Sequence, residues 1–295
     1  MPELPDIELY LSRIRERVLG RRLSILRLIS PFVLRSTDPG IDSLEGRQVL
    51  AMHRLGKRVV FAFEGQLFVV VHLMIAGRFR RLTADAKPPE RISLAVFEFE
   101  TGNLVLTESG RQKRASIHVV AGEDELALHN PGGLEVLESS LEDFRARLHS
   151  ANHTLKRALT KPSLFSGIGN AYSDEILHAA RLSPVKLTLK LNDNEIVRLY
   201  DGVRATVRYW IDRLEAEYAG RFPGAGDITA FRQDFSVHGK FGQPCRVCRA
   251  PIQRIRYATN ETNYCANCQN DGRILADRSL SRLLKEDWPR SIDEL

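Results

Sequence analysis

Four cysteines, all in the last fifth of the chain, stand as Cys245-x2-Cys248 and, after sixteen residues, Cys265-x2-Cys268. Two such knuckles on facing turns of a hairpin put four thiolates at the corners of a tetrahedron. That donor set suits zinc and leaves no coordination position for water. The expectation is one structural Zn2+ per chain on Cys245, Cys248, Cys265 and Cys268; a pair of disulfides is the weaker alternative without a secretory signal. At the opposite end, Met1-Pro2 is a good substrate for methionine removal, which would leave a secondary amine beside Glu3. A terminal amine is less basic than a lysine, so more of it is neutral and nucleophilic near pH 7. It can attack an electrophilic carbon such as C1′ of a deoxyribose and leave an iminium, with Glu3 carrying the proton. By itself Met-Pro-Glu is common and carries little. A third element is Lys156 followed by Leu164-Phe165-Ser166-Gly167-Ile168-Gly169-Asn170 ahead of the helix-forming Ala171-Tyr172-Ser173. Glycines before a helix admit an anion to the backbone amides, where the helix dipole favours it. With Asn170 as a further donor this is a phosphate clamp; a tight helix-to-helix turn accounts for the same glycines equally well.

The rest of the chain must position these groups. At 295 residues and 43% hydrophobic content it can bury a sizeable core, enough for about two domains and a small module. The first residues are acidic and proline-broken, and no apolar run approaches a membrane span, so a cytosolic protein is expected. The net charge of +6 favours a polyanionic partner, since Lys240, Arg246, Arg249, Arg254 and Arg256 cluster with no Asp or Glu between positions 240 and 260. The bland account is a solvated basic face. Four thiolates and one Zn2+ would bring the charge to about +4.

Ile7, Leu11, Ile14 and Val18 recur at helical spacing, predicting a helix over 6–19 ended by Gly20. From about 23 to 120 the pattern turns to short β-branched or alternating runs, with strands expected at 59–63, 67–71, 78–82, 92–99, 104–107 and 117–120, as in an antiparallel sandwich or barrel. Helical spacing returns at 140–149, 152–160, 171–180 and 193–219. Asn130-Pro131-Gly132-Gly133 reads as a linker, and Phe222-Pro223-Gly224-Ala225-Gly226 leads to the cysteines. The tail carries Leu280, Leu283 and Leu284 at helical spacing, predicted to pack on the cysteine module with Trp288.

Met1-Pro2-Glu3-Leu4-Pro5, the Arg54-Leu55-Gly56-Lys57 turn, His72-Leu73-Met74-x-x-Gly77, Gly167-Ile168-Gly169-Asn170-x-Tyr172-x-x-Glu175 and the four-cysteine finger occur in that order. Together they resemble the formamidopyrimidine-DNA glycosylase and endonuclease VIII superfamily over nearly the whole chain to about residue 270. The resemblance implies an α+β protein: an N-terminal catalytic β-sandwich with its flanking helix over 1–130, a helix-two-turn-helix DNA-binding domain over 131–226, a zinc finger over 227–270 and a helical tail over 271–295. DNA would lie in a cleft between the sandwich and the helical domain. It further implies a bifunctional DNA glycosylase and abasic-site lyase of base excision repair, acting on damaged double-stranded DNA as a monomer in the bacterial cytosol or nucleoid. Pro2 would displace the base, Glu3 would serve as acid or base, and Lys57 would assist β-elimination. Lys156, Gly169 and Asn170 would hold phosphates around the flipped nucleotide, His72 would have a structural or phosphate-contact role, and Met74 would fill the vacated space.

The sequence departs from that pattern at several places. Asp6 stands where the family usually has Glu. The loop Thr107-Glu108-Ser109-Gly110-Arg111-Gln112-Lys113-Arg114 lacks the family's aromatic wedge, leaving Arg111 as its candidate arginine. In the finger, Asn260 occupies the position of the arginine associated with δ-elimination, so cleavage is expected to stop at β-elimination unless Arg254 or Arg256 substitutes. The segment 226–235 is short for the loop that caps oxidised purines, although Leu4 resembles the formamidopyrimidine branch. Ring-opened purines or oxidised pyrimidines are therefore expected to be excised more readily than 8-oxoguanine. The competing reading is a member of the same fold that binds lesions with altered chemistry.

Overall fold

The computed structural model describes residues 1–257, 260–277 and 280–294. The described chain divides into two compact units, residues 1–131 with 210–229 and residues 132–209 with 230–295. The expected α+β architecture is observed, and no helix among the described residues is long and apolar enough to cross a membrane.

In the first unit, α1 (Leu4–Val18) starts two residues earlier than its apolar spacing predicts, because Pro5 suits a first helical turn and Asp6 caps from the third position. Eight strands follow: β1 (Leu23–Leu28), β2 (Val49–Leu55), β3 (Arg58–Phe63), β4 (Leu67–His72), β5 (Gly77–Leu82), β6 (Ser93–Phe99), β7 (Gly102–Glu108) and β8 (Ser116–Ala121), then α2 (Gly122–Ala127). They form two antiparallel sheets, β1-β6-β7-β5 and β2-β3-β4-β8. Between them Phe61 stacks on Phe97 at 5.3 Å and meets Phe79 edge-on at 6.3 Å. Ile7, Leu11, Ile14 and Val18 of α1 are buried in the same core. The outer face of the second sheet buries Val60, Phe68, Val70 and Val120 with Leu126 of α2. With both faces covered, β3 and β4 are continuous apolar runs rather than alternating ones. Alternation does not mark β1 and β2 as separate strands, since a register shift interrupts each, at Leu23/Ile25 and Val49/Ala51.

The second unit holds α3 (Leu141–His149), α4 (Leu155–Thr160), α5 (Asn170–Ala179), α6 (Asp193–Glu217), the hairpin β9 (Ile252–Tyr257) and β10 (Asn260–Cys265), α7 (Ala266–Asn270) and α8 (Leu280–Leu284). α4 is shorter than 152–160 because Thr154 caps it, its hydroxyl accepting from the Arg157 N–H. Phe144, Phe165 and Tyr200 form an aromatic core at centroid distances of 4.9 and 5.5 Å. The end of α6 leaves this unit, and Leu214, Tyr218 and Ile228 join the core of the first.

The tail differs from expectation. Leu283 is 76% exposed and Leu284 is also exposed, because a five-residue helix cannot present a stripe; the side chain of Leu280 lies outside the described residues. Ile274, Leu275 and Ile292 instead pack on Ile255, Tyr264 and Ala266 of the finger.

Candidate functional site

In the first unit the start of α1 is a built polar corner. Pro2, Glu3 and Asp6 are buried. The Glu3 N–H donates to Asp6 Oδ2 at 2.9 Å, one arm of a capping box between the two residues. The shorter carboxylate at position 6 thus acts locally, fixing the backbone of Glu3. The terminal amine, here that of Met1, lies within electrostatic reach of Glu3, Arg78, Asp6 and Lys57. Burial lowers its pKa from the ordinary value, Glu3 and Asp6 work against that shift, and Arg78 and Lys57 add to it. Lys57 sits in the two-residue turn joining β2 and β3, where Gly56 has φ of +64°. Arg54 ties this turn to α1, donating to Glu8 Oε1 and to the Gly56 carbonyl, both at 2.9 Å. Arg78 donates to the carbonyls of Ile228 at 2.9 Å, Gly77 at 2.7 Å and Ile75 at 3.2 Å.

The turn after β4 needs glycine at Gly77, where a Cβ would lie 2.2 Å from the Leu73 carbonyl oxygen. Within it Met74 has φ of +52° and is half-buried, whereas Ile75 is 58% exposed. Ile75, which no sequence motif singles out, is thus the more exposed apolar side chain of the turn. Arg111 is exposed in the loop between β7 and β8, closed by the buried Glu108, whose Oε2 accepts from the N–H groups of Arg114 at 2.8 Å and Ala115 at 3.0 Å.

His72 pairs in register with Arg58 at the end of β4. Its pKa falls to about 4, chiefly through burial and then through Arg58, Lys57 and His118. His118, whose ring lies 4.6 Å from that of His129, also falls to about 4 through burial, His129, Arg58 and Arg35. Both imidazoles are therefore neutral at pH 7. Between pH 6.5 and 4 the unfolded chain takes up protons that the folded one refuses, so stability is retained above 6.5 and lost as pH falls. The thermal midpoint should drop across that window. His118→Gln should make the drop shallower by roughly 1–3 kcal/mol at pH 4. Identical slopes in pH-dependent calorimetry would contradict this.

In the second unit the glycine-rich turn leads into α5 with Gly167 at φ +75° and Gly169 as N-cap. Lys156 Nζ donates to the Asn170 carbonyl at 2.6 Å and to Asp174 Oδ1 at 2.5 Å. Asp174, fully buried, also takes the His238 Nδ1–H at 2.7 Å and the Asn263 N–H at 3.0 Å on its other oxygen. Glu175 accepts the N–H groups of Ser236, Val237 and His238 at 2.7–2.9 Å. Burial raises the Glu175 pKa against the lowering effect of those three bonds. Adjacent carboxylates on α5 therefore hold both the segment before the cysteines and the β10 strand. Asn170 Nδ2 donates to the Glu261 carbonyl at 3.0 Å. Lys156, Asn170 and Asn260 line one groove of about 560 Å³.

Arg254 and Arg256 do not line that groove. Arg254 lies over the Phe241 ring at 4.1 Å and 3.8 Å from Glu261. Arg256 is exposed, and its backbone N–H donates to Asp277 Oδ2 at 2.7 Å. Ala258 and Thr259 lie outside the described residues.

The sulfurs of Cys245, Cys248, Cys265 and Cys268 all lie within 4.8 Å of one another. The N–H groups of Val247 and Cys268 point at the sulfurs of Cys245 and Cys265, both at 3.4 Å, as suits thiolates. The buried His178 brings Nε2 to 3.4 Å from Cys245 Sγ, linking the cluster to α5. Burial raises the pKa of the Cys265 thiol to about 11 and also raises that of Cys268. Four soft donors packed this closely can all ionise only around a cation, so the cluster fits a tetrahedral metal ion.

Sequence reasoning does not single out Arg54, Arg78, Asp174, His178 or His238 as functional. Asp174 adjoins Glu175 within the glycine-rich motif, and its lack of an exposed helical face is a usable signal. The others are arginines and histidines of common type whose partners are distant in sequence.

Residues 1–114 match the formamidopyrimidine-DNA glycosylase N-terminal domain, 133–216 the H2TH domain of that glycosylase, and 242–270 the zinc finger found in FPG and IleRS. The formamidopyrimidine-DNA glycosylase of Heliobacterium modesticaldum is 32% identical over 280 residues, covering 91% of this chain and all of that protein. That of Herpetosiphon aurantiacus is 27% identical with the same coverage. Among solved structures, a Lactococcus lactis FPG variant bound to Fapy-dG-containing DNA superposes with a TM-score of 0.81 at 26% identity, over 91% of this chain and all of that one. The wild-type L. lactis protein bound to DNA with an oxidised pyrimidine gives 0.79 at 25% identity, with the same coverage.

Proposed function

The chain belongs to the formamidopyrimidine-DNA glycosylase family, and on that premise we propose that it is a bifunctional DNA glycosylase and abasic-site lyase that repairs damaged duplex DNA. The observation carrying the chemistry is the buried Pro2–Glu3 corner, where the terminal amine, here that of Met1, lies among Glu3, Asp6, Lys57 and Arg78. With Met1 removed, the nucleophile is the amine of Pro2. Its lone pair forms a bond to C1′ of the damaged nucleoside while the C1′–N bond to the base breaks, with Glu3 as proton donor and acceptor. The C1′–O4′ bond then breaks, with O4′ taking a proton from Glu3, and leaves an iminium at C1′ that acidifies the C2′ hydrogens, so loss of a C2′ proton expels the 3′ phosphate in β-elimination, assisted by Lys57. Lys156 and Asn170 hold phosphates next to the extruded nucleotide, while Met74 and the exposed Ile75 fill the gap it leaves. The finger holds Zn2+ on its four cysteines as a structural ion, which keeps the β9–β10 hairpin folded.

The expected substrates are ring-opened purines and oxidised pyrimidines in duplex DNA, ahead of 8-oxoguanine. Asn260 lacks a guanidinium, Arg254 is engaged by Phe241 and Glu261, and neither Arg254 nor Arg256 lines the groove beside Lys156 and Asn170, so the reaction should end mainly at β-elimination. Incubation with duplexes carrying each lesion, resolved on a sequencing gel, should give 3′ unsaturated-aldehyde ends with ring-opened purine cut fastest. A dominant doubly phosphorylated gap would refute the elimination claim, and fastest cutting at 8-oxoguanine the substrate claim.

A further inference from the structure

The groove beside Lys156 and Asn170 extends past them. Its lining includes His153, Arg157, Asn152, Asn260 and Thr262, with no carboxylate among the described lining residues. That is an anion-accepting surface in a chain with 37 acidic residues. His153 just before the Thr154 N-cap, Arg157 within α4 and Lys161 at its C-cap form a second row of nitrogen-bearing side chains beside Lys156. The row is anchored: the His153 N–H donates to Thr188 Oγ1 at 3.2 Å, and its carbonyl accepts the Thr188 N–H at 2.8 Å. Lys161 Nζ stands 3.4 Å from His153 Nε2. An ammonium has no lone pair, so Nε2 accepts and the ring's proton resides on Nδ1. Burial, Lys161 and Arg157 all lower the His153 pKa, in keeping with a neutral ring used as a donor.

We propose that His153 and Arg157, backed by Lys161, form a second DNA-backbone subsite, which takes the phosphate adjacent on the same strand to the one held by Lys156 and Asn170. The subsite rests on the glycosylase reading for its ligand but not for its chemistry. It contacts no base and adds affinity to undamaged and damaged duplexes alike.

The test measures binding of the full-length protein, metal bound, to an undamaged duplex and to one with a tetrahydrofuran abasic analogue, by fluorescence anisotropy across a salt series. Arg157→Ala and His153→Ala are compared with Arg208→Ala, which removes an exposed charge elsewhere on the same unit. Arg157→Ala should weaken both complexes several-fold and reduce the slope of log K against log[salt] by about 1, whereas Arg208→Ala should leave the slope unchanged. His153→Ala should weaken binding with a smaller change in slope, because a neutral donor releases no counterion. Thermal unfolding of each variant establishes that it is folded. If Arg157→Ala matches Arg208→Ala in both affinity and slope, the subsite is overturned, whether or not the protein cleaves DNA. A protein that shows the slope change but forms no covalent adduct with an abasic site keeps the subsite and loses the lyase reading.

Discussion

Borohydride added to the protein with abasic-site DNA should trap one covalent adduct, and peptide mapping should place it on the terminal Pro2. Reduction captures only an imine or iminium, so the mapped residue identifies the nucleophile directly. Mass spectrometry of the purified protein should show loss of Met1, since Pro2 otherwise has an amide nitrogen in place of an amine. Acetylating the terminal amine should abolish trapping. Glu3→Gln keeps the size of the side chain and removes its proton transfer, so excision of an intact damaged base should fall by ~100-fold to 10,000-fold. Trapping on a preformed abasic site, which has no base to expel, should suffer less. The corner's burial, together with Arg78 and Lys57, disfavours a protonated terminal amine, so trapping should rise with pH as the amine loses its proton. An adduct mapped to Lys57 or Lys156 would refute the assignment.

Metal removal should have the second large effect, on binding. The hairpin between the two cysteine pairs supplies the Asn263 N–H to Asp174 and the Glu261 carbonyl to Asn170. The segment just before Cys245 supplies three N–H groups to Glu175. Structural four-cysteine sites contribute their binding energy to folding, roughly 10–16 kcal/mol in zinc-finger peptides. Without the ion, Asp174 and Glu175 lose these partners, and the Lys156–Asn170 clamp loses its support. Chelation, or Cys265→Ser, should therefore weaken duplex binding by on the order of 100-fold, about 3 kcal/mol. The circular dichroism signal of the first unit's strands should persist, since its core contains no residue of the cysteine-bearing segment 242–270. A chelated protein that binds duplex DNA as tightly as before would show that the finger does not support the clamp.

How much of the molecule is legible in its sequence differs by element. The cysteine spacing alone specifies a tetrahedral donor set, because two residues between thiols fix a local turn whatever surrounds it. Ile7, Leu11, Ile14 and Val18 specify α1, since one helix face meets one core. β3 and β4 are legible as buried strands from Val59–Phe63 and Leu67–Val71, while the bulges in β1 and β2 erase the period that would have marked them. The family resemblance implies the roles proposed for Pro2, Glu3 and Lys57. It does not reveal that Asp6 caps Glu3 or that Arg54 fastens the Lys57 turn to α1, since both depend on side-chain direction at a helix start and a strand end.

What the sequence determined by itself was whatever depends on neighbours a few residues away: the metal knuckles, the helix and strand periods, and a proline positioned to become a terminal amine. Tertiary structure decided which charges meet across long separations. Asp174 gathers Lys156, His238 and Asn263 from 18, 64 and 89 residues away. Buried polar groups require partners and take them from whichever segment packing brings near. Packing likewise left Ile75 exposed beside a half-buried Met74 and aligned His153 with Arg157 along a groove free of carboxylates among its described lining residues. Residue spacing constrains local backbone geometry, whereas the field at a site sums over segments whose proximity only the complete fold creates.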